Sequence, residues 1–252
     1  MSDERAPLPL AATVVLMREM PAGPPELLML ERASSMAFAA GALVFPGGRV
    51  DPGDYALAEQ LSGDRDENAQ RIAAIRETIE EAGIPVGLDP LPSPAVLEEI
   101  RNALSQGRDF ADLLRQADLG LDLNALTPFA RWRPANRVTR AYDTRFFLAA
   151  APENAIETAD GGESVRALWS TAQALLDDAE AGHHHLVFPT LCNLHRLAQF
   201  ASLEEAKADG ALHAHHLASG RVEQRDGVDW LYIEEGMGYP FTSILLDAKL
   251  RG

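Results

Sequence analysis

The chain of 252 residues carries 38 acidic against 22 basic side chains, a formal net charge of −16 at pH 7. A surface this acidic argues against nonspecific binding of nucleic acid or of an anionic membrane, both of which need a basic face. Hydrophobic residues make up 46% and charged residues 24%, enough apolar side chain for a substantial globular core. The single cysteine, Cys192, excludes an intrachain disulfide and reads as a small buried apolar residue. No apolar run approaches the roughly 18 residues of a membrane span. Met1-Ser2-Asp3-Glu4 lacks the basic start of a secretory signal, so a cytoplasmic protein is expected.

In chain order, Leu10 to Met17 is a β-rich run, Pro21 to Pro25 a turn cluster and Leu27 to Leu30 a second strand. Gly41 to Phe45 reads as a third strand, followed by a Gly47-Gly48 turn. A short helix is expected over Tyr55 to Leu61. A longer one runs from about Asp66 to Ala82 and stops at Gly83, with Pro85 beyond it. Pro90 to Pro94 breaks the chain. Val96 to Ala117 is helical in pattern, as two helices split near Gly107. Thr127 to Trp132, Tyr142 to Ala150 and Ser164 to Trp169 read as strands, and Thr171 to Ala179 as a helix. Pro189 to Ala208 reads as one longer amphipathic helix, and Trp230 to Ile233 as a last strand. This alternation implies an α/β sandwich around a mixed sheet. It is organised as one domain over residues 1–252, with insertions at about 51–66 and 93–120, and without internal repeats.

The chemistry concentrates in Arg76-Glu77-Thr78-Ile79-Glu80-Glu81-Ala82-Gly83-Ile84. Glu77, Glu80 and Glu81 fall at i, i+3 and i+4, so a helix places them on one face. Ile72, Ile75, Ile79 and Ala82 line the opposite, packing face. Three adjacent carboxylates repel one another unless a positive group sits among them. Hard divalent cations such as Mg²⁺ or Mn²⁺ take such oxygen ligands; the alternative is a solvated acidic face. Together with Phe45-Pro46-Gly47-Gly48 upstream, the segment resembles the Nudix hydrolases, whose pattern is G-x5-E-x7-R-E-U-x-E-E-x-G-U with U aliphatic. Arg76, Glu77, Glu80, Glu81, Gly83 and Ile84 match; Thr78 stands at an aliphatic position. The pattern's first Glu would fall at Asn68, beside Glu67, with Asp51 to Asp66 inserted before it.

A second pattern, that of Nudix enzymes cleaving coenzyme A, is L-L-T-x-R-[SA]-x3-R-x3-G-x3-F-P-G-G. It is similar to Leu28-Met29-Leu30-Glu31-Arg32-Ala33 through Gly41 to Phe45-Pro46-Gly47-Gly48. The spacing fits throughout, but Leu30 replaces the Thr and Ala37 the second Arg. The resemblance makes Arg32 a phosphate ligand, alongside Gly47 and Gly48; otherwise it is a surface arginine at a strand end. Arg131, Arg133, Arg137, Arg140 and Arg145 cluster in an otherwise acidic chain. Several arginines there could cover phosphate groups, Arg133 and Arg145 first among them, or they pair with the surplus of acids. The resemblance also implies a further carboxylate from a loop, Glu163 or Glu157, as ligand or general base; otherwise each is an exposed loop glutamate. His183-His184-His185 has metal-binding composition, but consecutive residues rarely converge on one ion. His195, His213, His215 and His216 have no partner legible in the sequence.

The resemblance implies metal-dependent hydrolysis of a phosphoanhydride in a nucleoside diphosphate linked to another moiety. Glu77, Glu80 and Glu81 would hold Mg²⁺ or Mn²⁺, Glu77 or Glu163 would take the proton of the attacking water, and Arg76 would orient a glutamate. Coenzyme A or an acyl-CoA is the first expected substrate, giving 3′,5′-ADP and phosphopantetheine or its acyl form. An ADP-ribose or NADH pyrophosphatase is the nearer alternative, favoured by Ala37. A nucleotide-binding sensor without catalysis is the other, opposed by the intact glutamates. The expected partner is a small nucleotide, with neither nucleic acid nor membrane; homodimerisation fits the resemblance, though no residue demonstrates it.

Overall fold

The computed structural model describes residues 8–33, 40–134, 141–153 and 155–245. It opens with β1 (Leu10–Arg18), β2 (Glu26–Arg32), β3 (Ala42–Val44), β4 (Gly47–Arg49), α1 (Pro52–Ala58) and α2 (Arg65–Ala82). A small ribbon, β5 (Leu88–Asp89) with β6 (Gly120–Leu121), encloses α3 (Pro94–Ser105) and α4 (Phe110–Gln116). β7 (Thr127–Trp132), β8 (Asp143–Ala150), β9 (Ser164–Thr171), α5 (Ala172–Glu180), β10 (His185–Leu186) and α6 (Phe188–Leu197) follow. The last elements are α7 (Leu203–His213), β11 (Leu217–Ala218), β12 (Arg221–Arg225), β13 (Val228–Tyr232) and β14 (Ser243–Leu245).

Nine strands form one mixed sheet in the order β10-β3-β2-β1-β8-β7-β11, with β4 also on β1 and β9 also on β2. Side chains alternate across it, as the two-residue period of a strand requires. Val14, Leu16, Leu28, Leu30, Phe147 and Ala149 enter a core covered by α2, α3 and α4. Val15, Met17, Leu27, Met29, Phe146 and Leu148 enter a second core covered by α5, α6, α7 and β13. The central strands are buried on both faces, which is why β1 reads as a near-continuous apolar run. The expected α/β sandwich is the observed architecture.

β1 and β2 pair only at one end, Met17 with Leu27 and Arg18 with Glu26. At their other ends the strands separate, β1 taking β4 through Ala12–Gly48 and Thr13–Gly47, and β2 taking β3 through Leu30–Val44. The Gly-Gly pair expected as a turn is therefore strand. A Cβ on Gly47 would lie 2.7 Å from the Thr13 Cα, so only glycine lets β4 come this close.

Three boundaries differ from the sequence reading. The first helix occupies Pro52–Ala58 rather than Tyr55 to Leu61, because Pro52 suits a first helical turn and the Asp51 amide donates to Asp54 Oδ2 at 2.8 Å. The long helix expected over Pro189 to Ala208 is two, α6 and α7. Ser202 accepts from the Glu205 amide at 3.2 Å and Glu205 accepts from the Ala201 amide at 2.8 Å, so a new helix start interrupts the apolar period. The last strand sits in a three-stranded sheet, β12-β13-β14, two of whose strands the sequence reading lacks. No helix among the described residues is long and apolar enough to cross a membrane.

Candidate active site

The pattern residues lie on α2, whose start is capped by Asp64 accepting from the Glu67 amide at 2.8 Å and whose end is Gly83 in the left-handed region, φ 67°. Ile72, Ile75, Ile79 and Ala82 are fully buried against the sheet. Gln70 donates to the Ala11 carbonyl at 2.9 Å, fixing the helix over β1. At the far end Arg101 of α3 donates to the Glu80 carbonyl at 2.9 Å and the Glu81 carbonyl at 3.2 Å, satisfying acceptors that a helix end leaves open.

Arg76 is the hub. Its Nε and Nη2 grip Asp54 at 3.1 and 2.9 Å, Nη1 donates to Glu77 at 2.8 Å and to Glu80 at 2.9 Å, and Nη2 also reaches the Arg49 carbonyl at 3.1 Å. Burial alone would lower the Arg76 pKa, but Asp54, Glu77 and Glu80 outweigh it and hold the guanidinium above its ordinary value. Asp54 is 2% exposed. It follows Gly48 at the pattern's own five-residue spacing and stands 22 positions before Arg76, where the pattern has seven intervening residues. The extra residues thus begin after Asp54, and the pattern's first carboxylate is Asp54, not Asn68. Asn68 donates instead to the Ser62 carbonyl at 3.0 Å. The spacing from Gly48 was the signal by which Asp54 could have been found; Arg101, distant in sequence, left none.

Glu77, Glu81, Arg32, Gly47, Gly48, Arg133 and Glu163 all line one cavity of about 670 Å³ at the splay of β1 and β2. Gly47 donates its amide to Glu81 Oε2 at 2.9 Å. The Gly48 Cα abuts the Glu77 carboxylate so closely that any Cβ would overlap both oxygens. Burial pushes the Glu77 carboxyl up to about 7, with Arg76 opposing and Glu80 adding to the rise. Burial likewise raises Glu81 well above the carboxylate range; the Glu77 charge adds, while the Gly47 amide and Arg32 oppose. Arg32 lies 3.7 Å from Glu163, which is 60% exposed at its side chain.

Other candidates stand elsewhere. Arg145 is on the opposite face of β8 from the cavity-lining Thr144 and Phe146, because strand neighbours point to opposite sides; it pairs with Glu67 at 2.7 Å and does not reach the cavity. Arg131 grips Asp143 through two hydrogen bonds of 2.7 Å. Arg137, Arg140 and Ala37 lie outside the described residues. Glu157 accepts from the Trp169 indole at 2.8 Å. Glu80, turned to Arg76, is not among the lining residues. No three His, Cys, Asp or Glu side chains among the described residues converge as a ready ligand set, the histidine run included. Cys192 is buried, which pushes its thiol pKa well up and leaves it inert.

The NUDT19 Nudix domain profile matches residues 58–197, more than half of the chain. The chain belongs to the Nudix hydrolases. This Nudix chain is 29% identical over 237 residues to a chicken (Gallus gallus) protein named acyl-coenzyme A diphosphatase NUDT19, with 71% of this chain and 63% of the relative covered. The human (Homo sapiens) protein of that name is 29% identical over 243 residues, with 75% and 64% covered. The chain thus spans just under two thirds of these relatives. Among solved structures, a Nudix hydrolase from Alicyclobacillus acidocaldarius superposes with TM-score 0.71 at 29% identity, covering 80% of this chain and 96% of that one.

Proposed function

We propose that this Nudix hydrolase cleaves the phosphoanhydride of coenzyme A or an acyl-CoA, releasing 3′,5′-ADP and phosphopantetheine or its acyl form. The observation that carries the reading is the meeting of Glu77, Glu81, the Gly47-Gly48 backbone and Arg32 in one cavity. The spaced Arg32 to Gly48 pattern and the names of the relatives support the choice of substrate.

The donor set fits a hard divalent cation, Mg²⁺ or Mn²⁺. Two carboxylates, Glu81 buried and Glu77 partly so, whose pKa values are both raised are a pair that an added positive charge would stabilise. The side-chain-free Gly48 lets β4 pack directly against the Glu77 carboxylate and hold it at the cavity wall. Glu77 and Glu81 would hold the ion, and Glu80 would join them only by releasing its bond to Arg76; when bound, the ion supplies neutralisation of phosphate charge and a lowered pKa for water. Arg76, fixed by Asp54, keeps Glu77 and Glu80 ordered. Arg32 and Arg133 orient the diphosphate oxygens through charged hydrogen bonds. Glu163, in the cavity wall and largely exposed, accepts the proton of the attacking water.

Mass-resolved product analysis with coenzyme A, an acyl-CoA, ADP-ribose and NADH, each with Mg²⁺ or Mn²⁺, tests this. Preferential release of 3′,5′-ADP from the coenzyme A compounds is expected. Preferential AMP from ADP-ribose or NADH would replace this reading with the second one, which the Ala37 departure favours.

A further inference from the structure

The cavity has a wall that the carboxylate chemistry does not use. Val187, Phe188, Gly220 and Leu231 line it from the C-terminal part of the chain, next to Trp132, and none of the four carries a polar side-chain atom; Pro189 and Thr190 continue this lining, the latter with a hydroxyl. They form one surface. The Trp132 and Phe188 rings meet edge to face at 5.6 Å, and a Cβ on Gly220 would lie 2.8 Å from the Phe188 ring and 3.6 Å from Leu231 Cδ2. Trp132 is fixed from behind, its indole donating to the Tyr239 hydroxyl at 2.7 Å and Tyr239 donating in turn to Asn193 at 3.0 Å.

We propose that this wall receives the aliphatic acyl chain of a coenzyme A thioester, and that Phe188, Gly220 and Leu231 set the chain length the enzyme accepts. The proposal rests on the coenzyme A reading of the same cavity. An adenine ring is a poor match for this surface. A purine needs an open aromatic face to stack on and polar partners for its edge, whereas the Trp132 ring is engaged by the rings of both Phe188 and Tyr239, and the side chains of Val187, Phe188 and Leu231 offer only carbon and hydrogen. A hydrocarbon chain needs only such a surface. Each methylene buried should raise kcat/KM by roughly threefold to fourfold. The gain ends where the chain meets the Phe188 ring, because close-packed side chains yield little.

The test is kcat/KM of the full chain for free coenzyme A and for straight-chain thioesters from acetyl to palmitoyl, with Mg²⁺ held constant, each thioester expressed as a ratio to free coenzyme A. The ratio is expected to climb by that factor per methylene and then fall. Gly220→Leu should move the fall to shorter chains and Phe188→Ala to longer ones. Should Gly220→Leu fold poorly, as judged by its melting temperature, Leu231→Ala joins Phe188→Ala in moving the fall to longer chains. Equal handling of free coenzyme A and every thioester by the unaltered enzyme would overturn the inference and leave the coenzyme A reading standing. So would a Phe188→Ala variant whose rates fall by one common factor for all substrates, free coenzyme A included. An enzyme that turns over no coenzyme A compound would take down the reading and the inference together.

Discussion

Asp54 shows how much one short side chain can carry. It is buried, it takes both ends of the Arg76 fork, and Arg76 in turn holds Glu77 and Glu80. Removing one partner of a buried pair leaves the other uncompensated. Asp54→Ala is therefore expected to cost about 3 kcal/mol in urea unfolding and to weaken Mn²⁺ affinity by roughly 10- to 100-fold, as loss of a group that orients metal ligands does. Wild-type Mn²⁺ affinity in a folded Asp54→Ala would dismiss Asp54 as an orienting group. Glu80→Gln and Glu81→Gln should each lower turnover by orders of magnitude with the fold retained, and near-normal rates in both would remove the metal assignment. Glu77 adds a pH dependence. Its folded pKa of about 7 lies above the unfolded value of 4.5, so the metal-free protein binds more protons folded than unfolded and loses stability as pH rises between those values. A cation relieves this at the upper end. The melting-temperature rise on adding Mg²⁺ should be larger at about pH 8 than at about pH 5.5, and the reverse order would place the cation away from Glu77.

At the level of elements, much was legible. β1, β7 and α2 stand within a residue or two of where their apolar periods put them, because α2 has strong ends in Asp64 and Gly83 and the strands have a clean burial pattern. α6 and α7 read as one helix in the sequence because their apolar period continues across the break; the Ser202–Glu205 start is what separates them. The candidate site was legible where residues lie close in sequence, as in Arg76 to Glu81. It was obscured where an insertion separated Asp54 from Arg76 along the chain, and where strand geometry turned Arg145 away from the cavity. The apolar wall of Phe188, Gly220 and Leu231 has no local pattern, since three separate segments build it. The contact between α3 and the end of α2 was equally silent. Arg101→Ala should lose about 1 to 2 kcal/mol, the worth of charged hydrogen bonds to the Glu80 and Glu81 carbonyls. Unfolding midpoints that match the wild type would show those bonds to be replaced by water.

The whole molecule carries −16 while its proposed substrate is an anion. Long-range repulsion should slow encounter, and the cation and Arg32 act only at short range. Raising ionic strength at fixed Mg²⁺ is thus expected to increase kcat/KM modestly, because salt screens charges beyond about 10 Å. A steep fall with salt would mean that the local arginines govern approach.

The helix that carries the glutamates is held at its C-terminal end by an arginine that follows it in the chain, on α3. That end cannot be finished when α2 itself first coils; it waits for α3 to dock. In native-state hydrogen exchange the amides of the last turn of α2 should open together with those of α3, as one cooperative unit, while the N-terminal part of α2, pinned to β1 by Gln70, opens with the sheet. A protease nick in the connection from Pro90 to Ser93 should then silence catalysis without touching a single glutamate.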